Sequence, residues 1–263
     1  MADHNSVVTG TTGVRLAYRT AGDPGAPPLV LLHALGETGA DWDVVAARFA
    51  RHWHVHVPDL RGHGLSDRPG DYAVEAMRDD LLGFLDVLGL GRVDLIGHSL
   101  GGVVAYLLAA AHPERVGRLV LEDVPAPLPR EPAPLTRPDG PLPFDWAAAT
   151  AVRSRMDRPD PEWWDRLRDI TAPVLAVAGG PESPVPQDRI GLLAERIRDF
   201  RTVTVPAGHL VHATRPAEFT EAVLRFLRPD GTAGRDTDGR TAPPAGHGCP
   251  DAATGGRPKP VPS

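Results

Sequence analysis

The sequence predicts an α/β fold with a mostly parallel central sheet covered by helices on both faces. Three observations carry that expectation. Apolar runs such as Pro28-Leu29-Val30-Leu31-Leu32 alternate along the chain with segments of helical period, and a strand apolar at every residue is one buried on both faces. Several runs end in glycine-punctuated loops, the place where sheets of this kind bind ligands, at the carboxyl ends of their strands. One run, Val93-Asp94-Leu95-Ile96, breaks through Gly97-His98-Ser99-Leu100-Gly101-Gly102 straight into a helical stretch at 103–111.

The elements follow in order. Ser6-Val7-Val8-Thr9 and residues 14–20 flank the turn Gly10-Thr11-Thr12-Gly13 and read as a hairpin. The strand at 28–32 runs into His33-Ala34-Leu35-Gly36-Glu37-Thr38-Gly39, ahead of a helical face at Trp42, Val45, Ala46 and Phe49. A strand at 53–58 feeds the polar loop 59–67, after which Val74, Met77, Leu81, Leu85 and Leu88 mark an amphipathic helix closed by Gly89 and Gly91. The serine strand and a second amphipathic helix come next, then a strand at 116–123. From 124 to 170 the alternation gives way to a proline-rich insertion with weak helical signals near 146–156 and 162–167, read as a short cap. Strands at 173–178 and 201–205 and helices at 187–197 and 216–227 resume the pattern. The expected organisation is a core from 1–123 and 171–228, a cap at 124–170, and a Pro/Gly-rich tail at 229–263 too poor in large apolar residues to order itself.

A chain of 263 residues is long enough for one large core, and a formal charge of −6 leaves no basic patch for nucleic acid. The basic residues are scattered and, apart from Lys259, all arginine. The amino-terminal residues lack a charged and an apolar signal region, and no stretch approaches the ~18 apolar residues of a membrane span, so the expected compartment is the cytoplasm. The single cysteine, Cys249, excludes an intramolecular disulfide, and its polar surroundings argue against a thiol active site.

Small residues on both sides of Ser99 permit a sharp strand-to-helix turn that lifts the hydroxyl clear of the sheet, and the helix directs its unpaired N–H groups to the same point. An alcohol is a weak nucleophile at neutral pH, so Ser99 needs a base, an orienting acid and donors for an oxyanion. Among eleven histidines, His209 in Pro206-Ala207-Gly208-His209 combines a glycine-lined loop at a strand end with a place late in the chain; His212 is the fallback. These pieces, with Leu31-Leu32-His33, Asp59-Leu60-Arg61-Gly62-His63-Gly64-Leu65-Ser66 and Gly97-His98-Ser99-Leu100-Gly101-Gly102, resemble the α/β-hydrolase superfamily from about Val14 to Leu227. Within it the chain is similar to the serine-nucleophile branch of small actinobacterial-type esterase- and haloperoxidase-like hydrolases.

The resemblance implies an α/β-hydrolase fold, no cofactor, and an oxyanion hole from the N–H groups of Leu35 and Leu100. Ala34 departs from the glycine the family usually carries there, which sets the shape of that hole in question. The acid stays open between two residues. Glu182 stands where most of the family has an aspartate, in Gly179-Gly180-Pro181-Glu182-Ser183-Pro184-Val185-Pro186; Asp123 ends the strand after the serine helix, where other relatives carry theirs. His52, His54 and His56 alternate on one strand, but they do not lie at its carboxyl end and no carboxylate or thiol accompanies them, so they read as structural and no metal is expected. Asp59, Arg61, His63 and Ser66 read as bracing. Phe144, Trp146, Trp163 and Trp164 support two readings: packing of the cap onto the sheet, or the lining of an apolar cavity over Ser99.

The function expected is hydrolysis of a carboxylic ester, thioester, lactone or similar acyl bond in a small apolar substrate, with neither nucleic acid nor membrane as partner. Perhydrolase or haloperoxidase-like, carbon–carbon hydrolase, lyase and biosynthetic cyclase activities are compatible alternatives. So is a small-molecule binding protein on the same fold.

Overall fold

The computed structural model describes residues 6–228, and the tail expected at 229–263 lies outside the described residues. Its strands are β1 (Ser6–Thr9), β2 (Arg15–Ala21), β3 (Pro28–Leu32), β4 (His54–Pro58), β5 (Val93–His98), β6 (Val116–Glu122), β7 (Val174–Ala178) and β8 (Phe200–Thr204). They form one sheet in the order β1-β2-β4-β3-β5-β6-β7-β8. β1 and β2 pair antiparallel, β2 meets β4 antiparallel, and the strands from β4 to β8 are parallel. The helices are α1 (Asp43–Phe49), α2 (Val74–Val87), α3 (Leu100–Ala111), α4 (Trp146–Asp157), α5 (Pro161–Arg166), α6 (Gln187–Gly191), α7 (Val211–Thr214) and α8 (Pro216–Leu227).

Alternation along the strands sorts side chains between two cores. Val30, Leu32 and Leu95 join Phe84 and Tyr106 on the side of α2 and α3, while Leu29, Leu31 and Ile96 join Trp42 and Phe219 on the side of α1 and α8. β3 lies between β4 and β5, so the chain extends the sheet first to one side of β3 and then to the other. The crevice outside the carboxyl ends of β3 and β5 is where such a sheet leaves room for a ligand.

Three details differ from the sequence expectation. α3 is not amphipathic: every residue from Leu100 to Ala110 is buried, because the sheet covers one side of it and α2, α5 and neighbouring cap segments the others. The helix expected over 187–197 is the single turn and a half of α6 followed by a tight 3-10 turn over Leu192–Glu195. In the 124–170 insertion only α4 and α5 are regular helices; Asp145 and Asp160 cap them by accepting from Ala147 N (2.9 Å) and Glu162 N (3.0 Å). No helix among the described residues is long and apolar enough to cross a membrane.

One ion pair is sealed into the α2 side of the molecule. Arg61 and Asp80 are 4% and 3% exposed, Arg61 donates to Asp80 through Nε and through Nη2 (2.7 Å), and Thr12 Oγ1 donates to the same carboxylate. Removing one partner strands a buried charge, which costs more than the pair contributes. Asp80→Ala is therefore expected to lower the unfolding free energy by about 3–5 kcal/mol, and Arg61→Met with Asp80→Leu by much less. Urea midpoints of the two variants check this; equal losses would contradict it.

Candidate active site

Ser99 follows β5 directly and precedes α3 with φ 48° and ψ −112°. A side chain in that left-handed region costs on the order of 1–3 kcal/mol, so the surroundings must hold it. Ser99 N donates to the Glu122 carbonyl (3.1 Å) and its own carbonyl accepts from Val103 N (3.1 Å). Gly101 lets α3 sit against the end of β3, since a Cβ there would stand 2.3 Å from the Leu32 carbonyl oxygen. Among the described residues only Ser99 and Asp123 (φ 51°) are non-glycine positions with positive φ.

Those two residues belong to one constellation. Asp123, fully buried, directly follows β6, the neighbour of the serine strand. Its Oδ2 accepts from His209 Nδ1 (2.7 Å) and from the Ser183 hydroxyl, and its Oδ1 from Gly179 N (2.9 Å) and Gln187 Nε2 (3.2 Å). Burial pushes this carboxyl up, but the hydrogen bonds from His209, Ser183, Gly179 and Gln187 outweigh it and hold it below the usual aspartate range. With Asp123 ionised, the proton of His209 lies on Nδ1 and Nε2 is left as an acceptor. The loop that carries His209 is tied to the same place, because Ala207 N and Gly208 N both donate to the Gly179 carbonyl (3.0 Å each).

The carboxylate that meets His209 is thus Asp123 and not Glu182. Glu182 is exposed and its carboxylate makes no hydrogen bond among the described residues; the turn after β7 presents Gly179 N and the Ser183 hydroxyl to Asp123 instead. His212, the fallback base, is buried against Glu122.

Ser99 and His209 line a cleft of about 290 Å³ together with Leu35, Leu100, Pro125, Val152, Met156, Pro184, Val185, Arg130 and Arg153. The four aromatic residues expected over Ser99 are absent from its walls. Phe144 stacks on His63 (5.7 Å between ring centres) and lies near Trp146. Trp163 donates to Glu75 of α2 (3.2 Å) under the guanidinium of Arg155, and Trp164 carries Arg196 over its ring. Their large apolar faces dock the cap and brace the 33–39 loop. Trp163 does border a second, apolar chamber of about 120 Å³ that shares Pro125, Arg130 and Met156 with the first. The cleft residues that sequence reasoning missed include Val152, Arg153 and Met156, which recur on one face of α4 at helical spacing.

Leu35 and Leu100 both border the cleft, and Leu100 is the first residue of α3, where no intrahelical acceptor reaches its N–H. Ala34 keeps a backbone free of positive φ, so its methyl imposes no strain on the neighbouring Leu35. The loop is fixed from below: His33 Nδ1 donates to the Ala34 carbonyl (2.8 Å) and its Nε2 accepts from Leu60 N (2.9 Å). His63 Nδ1 donates to the Arg61 carbonyl and its Nε2 accepts from Gly36 N (3.2 Å). Burial drives the His63 ring down to about 3, keeping it neutral for that role.

Behind His209 lies a buried polar network. The His98 ring packs 4.6 Å from that of His209, and its Nδ1 reaches Glu37 (3.3 Å). His212 donates to Glu122 through its backbone N (2.8 Å) and Nδ1 (2.9 Å). Burial alone would depress His98, but Glu122 and Glu37 on either side raise it. His98, Glu122 and His212 each offer a ligand atom within 4.8 Å of the others, yet His212 already occupies both oxygens of Glu122. Within the group His212 and Glu122 form a hydrogen-bonded pair, with the His98 ring packed against His212 and His209. The His54 and His56 rings meet edge-on on β4, their centres 4.2 Å apart, and burial takes His56 down to about 4. Asp59 accepts from Gly39 N (2.7 Å) and Leu65 N (2.9 Å), joining the two loops beside the cleft.

Comparison with known proteins adds relatives to this geometry. A family profile described as alpha/beta hydrolase fold matches residues 27–153. An uncharacterized protein of Mycobacterium tuberculosis (strain ATCC 25618 / H37Rv) is 43% identical over 110 residues, 41% of this chain and 32% of that protein. Epoxide hydrolase A of the same organism is 38% identical over 131 residues, 48% of this chain and 40% of its own length. The chain thus spans about a third to two fifths of the length of these curated relatives. The solved structure of Est816, described as an N-acyl homoserine lactone degrading enzyme, is 27% identical, with a TM-score of 0.68 over 84% of this chain and all of the other.

The network behind His209 generates a prediction. Burial, a hydrogen bond shared with Glu37 and the charge of Glu37 push Asp41 up to about 7, while Glu37, despite its burial, is held at about 2 by hydrogen bonds from His98 and Asp41. An aspartate whose folded value lies above its unfolded one binds a proton on folding, so the stability it contributes is complete below the unfolded value and is lost as pH rises toward 7. Wild type is expected to lose stability relative to Asp41→Asn between roughly pH 4 and 7 and to run parallel to it above that. Urea midpoints measured across this range test it; parallel curves throughout would refute it.

Proposed function

This chain belongs to the α/β-hydrolase superfamily, and on that premise we propose that it is a cofactor-independent serine hydrolase cleaving a carboxylic ester, thioester, lactone or related acyl bond of a small substrate. The observation that carries the reading is the meeting of a strained Ser99 and an Asp123-braced His209 on one cleft.

The chemistry follows from those positions. Ser99 Oγ attacks the acyl carbon while His209 Nε2 takes its proton, and the developing oxyanion is held by the N–H groups of Leu35 and Leu100. Collapse breaks the bond to the leaving group, which departs with the proton from Nε2. Water then attacks the acyl-serine, giving a proton to Nε2. The carboxylic acid leaves as Ser99 Oγ recovers that proton. Asp123 stays ionised and stabilises the imidazolium at both stages.

The likeness to epoxide hydrolase A favours a second reading, opening of an epoxide. A hydroxyl nucleophile argues against it. Attack of Ser99 on an epoxide carbon would leave an ether on the enzyme, which lacks the carbonyl that water needs for release.

Ser99→Ala is expected to reduce kcat/KM for p-nitrophenyl esters by at least about a thousandfold, and a fluorophosphonate to label wild type at Ser99. Asp123→Asn should lower kcat by about 10⁴-fold through the wrong imidazole tautomer, whereas Glu182→Gln should leave it close to wild type. Full activity of Ser99→Ala would sink the proposal. A binding protein would retain ligand stoichiometrically without turnover.

A further inference from the structure

The cleft over Ser99 carries more charge than a neutral ester requires. Two arginines line it, Arg130 from the cap loop and Arg153 from α4, and no acidic side chain does. Both lean on one carboxylate, Asp157, which is 5% exposed: Arg130 Nε donates to its Oδ1 at 2.6 Å, and Arg153 Nε lies 3.4 Å from the same oxygen. The Arg153 Nε is buried without a hydrogen-bond acceptor. Among the described residues, neither guanidinium gives an Nη hydrogen bond to a protein acceptor.

Two cations against one anion leave an uncompensated positive charge in a cleft whose other walls are mostly apolar side chains. Low-dielectric walls strengthen the field of such a charge. A nearby arginine of α6, Arg189, is in a different condition, since its Nη1 and Nη2 donate to the Leu128 and Pro129 carbonyls (3.0 Å each) and it serves to pin the loop that carries Arg130. Arg130 is thus held through its Nε hydrogen bond to Asp157, Arg153 only faces the same carboxylate as an ion pair, and the Nη groups of both are left without protein partners. A planar guanidinium fork in that state matches a carboxylate.

We propose that Arg130 and Arg153 form a carboxylate subsite, so that the substrate is an acyl compound carrying a second, anionic carboxylate alongside the bond that Ser99 attacks. This rests on the serine-hydrolase reading and specifies its substrate class. The apolar chamber that shares Pro125, Arg130 and Met156 with the cleft takes the hydrocarbon portion of the same molecule.

The test compares two esters of equal acyl length, mono-p-nitrophenyl adipate and p-nitrophenyl hexanoate, which differ in the terminal carboxylate. Wild type is expected to favour the adipate half-ester in kcat/KM by about tenfold or more, the factor of one charge-assisted contact, with the preference shrinking as salt is added. Arg153→Gln should reduce that ratio about tenfold and Arg153→Lys should restore part of it. Free adipate should inhibit hexanoate cleavage competitively in wild type and more weakly in Arg153→Gln, with thermal melting used to verify that each variant is folded. If the hexanoate ester is turned over but the half-ester is not preferred, or if Arg153→Gln keeps the wild-type ratio, the carboxylate subsite is overturned and the hydrolase reading stands. If neither ester is turned over and fluorophosphonate leaves Ser99 unlabelled, both fall together.

Discussion

One buried carboxylate ties this end of the molecule together. Asp123 accepts four hydrogen bonds, and their donors come from the turn after β7, the start of α6 and the loop after β8. An ionised carboxylate fully removed from water is sustainable only when its lone pairs are filled in this way. Filling them fixes the distance between Asp123, the 179–187 stretch and the loop of His209, which are far apart in sequence, and His209 is one of the donors. The position of the imidazole is therefore a by-product of solvating Asp123 from inside the protein. Gly179 makes the arrangement possible, because a Cβ there would lie 1.9 Å from the Gly208 carbonyl oxygen.

A second layer of polar groups supports the first. His98, Glu122, His212, Glu37 and Asp41 form a set of buried or half-buried titratable residues behind the His209 ring. Replacing them with apolar residues would pack as densely, so their presence is a matter of position and not of bulk. Hydrogen bonds join them in two pairs: His98 with Glu37 links the end of β5 to the loop after β3, and His212 with Glu122 links α7 to the end of β6. The 33–39 loop, held separately by His33 and His63, meets them at Glu37, which accepts from both Ala34 N and His98.

The frame of the molecule was legible because burial on two faces leaves a plain mark in sequence. The runs at 28–32 and 173–178 are apolar throughout and that at 93–96 is apolar but for Asp94; they became β3, β7 and β5. The glycines around Ser99 and His209 likewise mark places where backbones approach closely. The choice between Glu182 and Asp123 was not legible, because it depends on sheet order and on a left-handed backbone at Asp123, neither of which is written in residue type. The aromatic residues of the cap misled for a related reason. Their area marks them as buried somewhere, but Phe144 and Trp163 spend it on docking the cap, while the cleft is walled by the smaller Val152, Met156 and Val185. The helix after Ser99 looked one-sided, since its alanines gave no hint that α2 and the cap would cover its outer surface.

The strained backbone at Ser99 sets the interests of folding and of chemistry against each other at one residue. Unfolding releases the on the order of 1–3 kcal/mol stored there, out of a total of only about 5–15 kcal/mol for a typical domain. A glycine at that position would adopt the same backbone without strain, and the turn would keep its shape while losing its hydroxyl. Selection for robustness alone would erase the serine. On the serine-hydrolase reading, the strain at Ser99 is the cost of presenting its hydroxyl at this strand-to-helix turn.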